Sequence, residues 1–136
     1  MTRITTLLSL LGFVLLGGCG SAPSGTRTSS EPTVAQTPFE RDLAPKLADC
    51  LGCHRGEAAE AGVDLSDIQS LIGVESGQLE MALIEPGDHL QSYLWHKIAG
   101  TQSIAGGLGR RMPIHYAWPT EDIELLARWI DLGAPN

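Results

Sequence analysis

Residues 50–54 read Cys50-Leu51-Gly52-Cys53-His54. No other stretch constrains the chain as tightly. Two thiols three positions apart, with a histidine directly after the second, must share one short turn of backbone. The residues leading into that turn read as helix: Phe39, Leu43, Leu47 and Leu51 recur every four positions with alanines between them, the spacing that keeps apolar side chains on one helical face. A redox disulfide of the thioredoxin kind would need a strand entering a helix, and no strand pattern precedes Cys50. A structural zinc site would need four ligands. Cys50, Cys53 and His54 are adjacent and no second cysteine pair exists.

The third cysteine decides the compartment. Leu7 to Leu16 is an apolar run behind Arg3. It is too short to span a bilayer, which takes about twenty residues, and it has the form of an export signal. The run ends in Leu16-Gly17-Gly18-Cys19, which resembles a bacterial lipoprotein signal. That resemblance implies removal of residues 1–18 as a signal peptide and lipidation of Cys19. The alternative is ordinary cleavage that leaves Cys19 as a free thiol, a liability where disulfides form. Residues 19–38 then form the lipidated N-terminus and a flexible linker. Positions 20–38 are rich in Ser, Thr, Pro and Gly and have little apolar surface to bury. Such a tether has a typical reach of about 25 Å. Residues 39–136 are left as one small domain with few aromatics.

With Cys19 lipidated, Cys50 and Cys53 remain, and the Cys-x-x-Cys-His spacing is the attachment signature of haem c. Two thiols add to the two vinyl groups on one porphyrin edge, and the following histidine lies under the ring, where His54 donates a nitrogen to iron. One covalent haem c is therefore expected, and it would fill much of the interior that so few aromatics leave empty.

A second axial ligand must come from Met81, Met112, His89, His96 or His115. Met112 stands in "AGGLGRRMPIHYAWP". Glycines at 106, 107 and 109 permit close wrapping, and Pro113 stiffens the chain behind the methionine. Met/His is a standard pair for such iron, so Met112 is the expected sixth ligand and His115 the alternative. Met81 reads as core and His89 as a surface residue. His96 lies on "DHLQSYLWHKIAG", a helix with Asp88 as cap and Gly100 as its stop. It points nearly opposite the stripe of Leu90, Leu94 and Ile98 and is expected to be solvated.

Two further helices are expected. Residues 65–73 read as a short one, with Ser66 as N-cap and Gly73 past its end. The last runs from a Thr120 cap to Gly133, with Glu121 and Asp122 at its positive end. Ile123, Leu126, Ala127 and Ile130 form its apolar face, widened by Leu125, Trp129 and Leu132, and the helix should pack on the one that carries Cys50. Arg110 and Arg111 read as a solvated basic corner or as partners for haem propionates. Trp95 and Trp118 read as core or surface, with a place against the ring edge as the other option.

"CLGCH", then "RMP", then "TEDIELLARWIDLGAP" together resemble a class I c-type cytochrome domain. "GVDLSDIQSLIG" and "IEPGDHLQSYLWHKI" are similar to the planctomycete-type branch of that family. There a Gly-x-Asp-Leu stretch and a Pro-Gly-Asp stretch precede a Ser-x-Leu helix, a Met-Pro pair and a terminal Trp-Ile helix. The resemblance covers about residues 40–134. It implies an all-α, small helical domain wrapped around one covalent haem, with Cys50, Cys53, His54 and Met112 as its cofactor-binding residues and His54 and Met112 on the iron. Two departures stand out: His89 occupies a position where that branch often has proline, and the chain between His54 and Met112 shows no obvious further haem contact.

The functional expectation is a membrane-anchored periplasmic electron carrier rather than an enzyme. Iron ligated by His54 and Met112 leaves no vacant site for a substrate. Its partners would be periplasmic or membrane-bound redox proteins, with the lipid raising their effective concentration. Without Arg3, Arg27 and Glu31 the chain keeps seven basic and fifteen acidic residues, a net charge of −8. That balance argues against nucleic acid and suits a basic partner patch. Gly20 in place of Asp after Cys19 favours the outer membrane. Two other readings remain: a haem sensor or peroxidase-like subunit with an open sixth site, and a non-redox lipoprotein with a Cys50–Cys53 disulfide.

Overall fold

Pro45 shapes the first element. In an α-helix its N–H would meet the Arg41 carbonyl, and proline has none. The backbone answers with a π turn over Phe39–Leu43, in which the Ala44 N–H reaches back to the Phe39 carbonyl. It then continues as α1 (Ala44–Leu47) and tightens into a 3₁₀ turn over Ala48–Gly52. The expected helix through Leu51 is present as this three-part run, with Leu43 and Leu47 buried. These features come from a computed structural model that describes residues 36–136. The expected signal peptide, Cys19 and the tether up to residue 35 lie outside the described residues.

The fold is helical. α2 spans Tyr93–Ala99 and α3 spans Thr120–Asp131, and short 3₁₀ turns fill much of the remainder. The only extended pairing among the described residues is three isolated bridges, Ile72 with Ile84, Glu75 with Ala82, and Ala82 with Ser92. No helix among the described residues is long and apolar enough to cross a membrane.

α3 closes the core against the first helical run, as expected from its apolar face. Leu126 and Ile130 are fully buried with Leu43, Ile84 and Ile98. The Phe39 and Trp129 rings sit 5.2 Å apart, and Lys46 pairs with Asp122 at 2.6 Å. Pro119 holds the cap position and Thr120 is the first helical residue, so the expected Thr120 cap is displaced by one. Leu132 lies past the end of the helix and is 78 % exposed, so it does not widen the buried face. Gly133, at φ +94°, turns the chain away.

Two other expectations need correction. The short helix expected at residues 65–73 is present as a 3₁₀ segment over Leu65–Leu71, kinked at Asp67, but its cap is misplaced. Asp64, not Ser66, caps it by accepting from the Ser66 N–H at 2.9 Å. His96 is buried, not solvated: it is 9 % exposed. Its Nε2 bonds the Leu90 carbonyl at 2.9 Å and its Nδ1 meets Thr101 Oγ1 at 2.7 Å. The stripe that placed it outside assumed one continuous helix. Asp88 instead caps a separate turn, His89–Gln91, and Ser92 is extended, so α2 starts afresh at Tyr93. Leu90 falls out of the stripe and is 54 % exposed. Leu94 and Ile98 stay buried, and Gly100 ends α2 in the left-handed region as expected. Met81 packs against the core, as read. His89 does more than decorate the surface, because its Nδ1 pairs with Asp131 at 2.8 Å and clips its turn to the end of α3.

Candidate haem crevice

The 3₁₀ turn that ends the first helical run sets the geometry of the motif. The Cys50 carbonyl accepts from both the Cys53 and His54 N–H groups, at 3.2 and 2.9 Å. Cys50 and His54 are thus one helical turn apart and share a face. Both line two adjoining cavities. The outer one, about 340 Å³, is walled by Cys50, Cys53 and His54 on one side and by Met112, Pro113 and His115 on the other. The inner one, about 120 Å³ and more enclosed, is walled by Cys50, His54, Met112, Tyr93, Lys97 and Gln78, with aliphatic side chains behind them. The combined space falls in the ~300–1,000 Å³ range of ligand sites.

The donor chemistry fits a covalent haem. Both thiols are free, Cys53 exposed and Cys50 half-buried. Burial, helped by nearby Asp49, pushes the Cys50 thiol above its ordinary pKa. His54 Nδ1 lies 3.1 Å from the Val63 carbonyl. A carbonyl only accepts, so Nδ1 carries the proton and Nε2 keeps its lone pair, the arrangement that a metal-ligating imidazole needs. Met112 lines both cavities together with His54. Its thioether is a neutral, soft donor suited to iron. No three His, Cys, Asp or Glu side chains gather elsewhere into a metal-binding cluster among the described residues.

The loop carrying Met112 is held at several points. The Met112 N–H donates to the Lys97 carbonyl at 2.8 Å, and Lys97 Nζ donates to the Leu108 carbonyl at 3.3 Å. Gln102 Nε2 reaches the Gly109 carbonyl at 3.2 Å. Of the glycines expected to permit close wrapping, Gly107 is the one whose contact demands it: a Cβ there would sit 2.6 Å from Tyr93 Cε2. At the mouth, the Tyr116 hydroxyl donates to Asp49 Oδ2 at 2.8 Å.

His115 lines the outer cavity but is exposed. His96 is taken up by Leu90 and Thr101, and His89 by Asp131. Arg110 and Arg111 are exposed and line neither cavity. Trp118 is core, and Trp95 is half-buried beside His89 and His96. Sequence reasoning missed the Val63 carbonyl, the Asp49–Tyr116 bond and the group formed by Gln78, Tyr93 and Lys97. Only Tyr93 and Lys97 left a trace in sequence, as an aromatic and a cation four apart on a helix.

Residues 50–105 match the family model described as Planctomycete cytochrome C. The match includes Cys50, Cys53 and His54 and ends before Met112. No curated protein and no solved structure matches the chain.

Proposed function

From the premise that this chain contains a planctomycete-type cytochrome c domain, a haem-based redox module, we propose that it is a one-electron carrier, exported and held at a membrane by lipid on Cys19. Bound haem c supplies an iron that cycles between ferric and ferrous. Cys50 and Cys53 would hold the ring by thioether bonds, and His54, through Nε2, and Met112, through its thioether, would hold the iron. The carrying observation is that His54, with Nδ1 committed to Val63, lines the same two cavities as Met112.

The chain's own groups serve transfer by staying still. Val63 fixes the imidazole, and Lys97, Gln102 and Tyr116 fix the Met112 loop, so little reorganises when the charge changes. Exposed Ile114 lines the outer cavity, and exposed Leu108 is joined by its backbone to Gln78 and Lys97 of the inner one, apolar contacts of a kind a redox partner uses. The acidic balance of the chain would attract a basic partner, with exchange slowing as salt rises.

Optical spectra of the exported protein test this reading. Low-spin c-type bands with the weak far-red sulfur-to-iron band, unmoved by carbon monoxide, are expected. A low-spin spectrum lacking that band would transfer the sixth position to a nitrogen donor, with His115 in the outer cavity as the candidate. A high-spin spectrum that shifts with carbon monoxide would replace the carrier by a sensor or peroxidase-like subunit. Absence of haem bands in matured protein would overturn the proposal.

A further inference from the structure

Lys97 brings a positive charge to the wall of the inner cavity, and among the described residues it forms no ion pair. It is half-buried. Its Nζ has one hydrogen bond, to the neutral Leu108 carbonyl, and stands 5.9 Å from the Tyr93 ring centroid. An ammonium on an apolar wall without a counter-charge is a costly arrangement unless an anion joins it. Gln78 stands on the same wall. Its Oε1 accepts from the Tyr93 hydroxyl at 2.6 Å and from the Leu108 N–H at 3.1 Å. Two donors on the oxygen fix the orientation of the amide, and the Nε2 group is left with its two N–H bonds to give. The wall of the inner cavity therefore carries one cation and, at its exposed rim, one amide whose oxygen Tyr93 and Leu108 hold in place.

The cysteines say which part of a haem would meet them. Thioether bonds form at the vinyl-bearing edge of the porphyrin, and the two propionates hang from the opposite edge. Cys53 lines only the outer cavity. Gln78, Tyr93 and Lys97 line only the inner one. Cys50, His54 and Met112 line both. A ring fastened through Cys53 at the outer cavity would turn its carboxylate edge toward the inner one.

We propose that Lys97, half-buried, and Gln78, exposed at the rim of the inner cavity, form a cradle for one haem propionate, with buried Tyr93 as the positioning residue. The inference rests on the haem reading above and assigns the carboxylate contact away from Arg110 and Arg111. It also gives Lys97 a second role. The same residue accepts the Met112 N–H on its carbonyl, so the propionate contact and the sixth-ligand loop are fastened to one residue of α2.

The test uses the matured holoprotein. In its diamagnetic ferrous state, NMR is expected to show through-space contacts between the Tyr93 ring protons or the Lys97 ε-methylene and a propionate methylene. In Lys97→Met, the propionate-bending band in resonance Raman shifts. The ferric/ferrous equilibrium moves toward ferric by about tenfold, since loss of a nearby cation favours the more positive iron; for one electron this is ~59 mV. Arg110→Gln and Arg111→Gln leave the band in place. The proposal is overturned if haem is bound with its sulfur-to-iron band intact but the wild-type contacts are missing, or if the propionate band answers to Arg111→Gln and not to Lys97→Met. Should Lys97→Met fail to mature, the wild-type contacts alone decide. A matured chain without haem bands removes the carrier reading and this inference together, an outcome the optical spectrum separates from the others.

Discussion

Tyr116 donates a 2.8 Å hydrogen bond to Asp49 Oδ2 and so joins the two sides of the crevice mouth. Asp49 precedes the first cysteine of the haem motif, and Tyr116 follows the Ile114-His115 stretch that lines the outer cavity. The loop that carries Met112, the proposed sixth ligand, is thereby tied to the helix end that bears Cys50.

Replacing Tyr116 with Phe removes that tie and little else. One hydrogen bond at a wet surface is worth about 0.5–1.5 kcal/mol, so the population with Met112 displaced should rise about two- to tenfold. Imidazole should bind the ferric protein more tightly by the same factor, with haem content unchanged. The bond to Asp49, ahead of burial, raises the Tyr116 phenol above its ordinary pKa. The donor is the protonated phenol, so its contribution is whole below pH ~10 and is lost as pH rises through the raised folded value. The gap between wild type and Tyr116→Phe should close there. Equal imidazole affinities at neutral pH would show that the bond does not restrain the loop.

Asp131 gives a prediction of the opposite sign. Its carboxylate accepts from His89 Nδ1 at 2.8 Å and from the His89 N–H at 3.0 Å. The side-chain bond first, and then the backbone one, hold its pKa below the ordinary aspartate value. A depressed folded pKa stabilises above the unfolded value, near 3.9, and that share is lost as pH falls through the folded one. Asp131→Asn should lower Tm slightly at pH 6, and the two melting curves should converge in strong acid. A constant difference in Tm from pH 7 to pH 2 would show that ionisation of Asp131 plays no part.

The chemistry of the crevice was more legible in sequence than its walls. Cys50, Cys53 and His54 are consecutive in one turn, so local spacing alone places them together, and Gly100 and Gly133 mark helix ends through backbone needs that sequence displays directly. His96 was misplaced because a periodic stripe assumes an unbroken helix, and the extended Ser92 resets the phase between Leu90 and Leu94. The Ser66 cap failed by two positions because the Asp64 carboxylate accepts from the Ser66 N–H and takes up the Ser66 hydroxyl as well. Gln78, Tyr93 and Leu108 lie fifteen and thirty positions apart in the chain and meet only through the path of the 101–111 loop. Contacts at that separation leave no periodic signal.

Gly107 tests how tightly that loop must wrap. An added Cβ would meet the Tyr93 ring at 2.6 Å. The ring is buried and its hydroxyl is bonded to Gln78, so it cannot swing away freely. Overpacking of this kind costs about 1–3 kcal/mol. Gly107→Ala should lower Tm by at least several degrees and loosen Met112 at the same time, seen as loss of the sulfur-to-iron band at a lower temperature than global unfolding. An unaltered Tm would mean that the loop re-routes without cost.

His96 offers a stability test that also bears on ligation. The Leu90 carbonyl only accepts, so Nε2 must carry the proton. In the neutral ring, Nδ1 then accepts from the Thr101 hydroxyl. Thr101→Val keeps the shape of the side chain but removes the donor, leaving a buried ring nitrogen unpaired at a cost of about 1–3 kcal/mol. Thermal or denaturant unfolding should show that loss. The optical spectrum should not change, because both nitrogens of His96 are engaged within the turn that joins α2 to its neighbours and neither is available to iron. A spectral change in Thr101→Val without loss of stability would place His96 on the iron and displace Met112 from the sixth position.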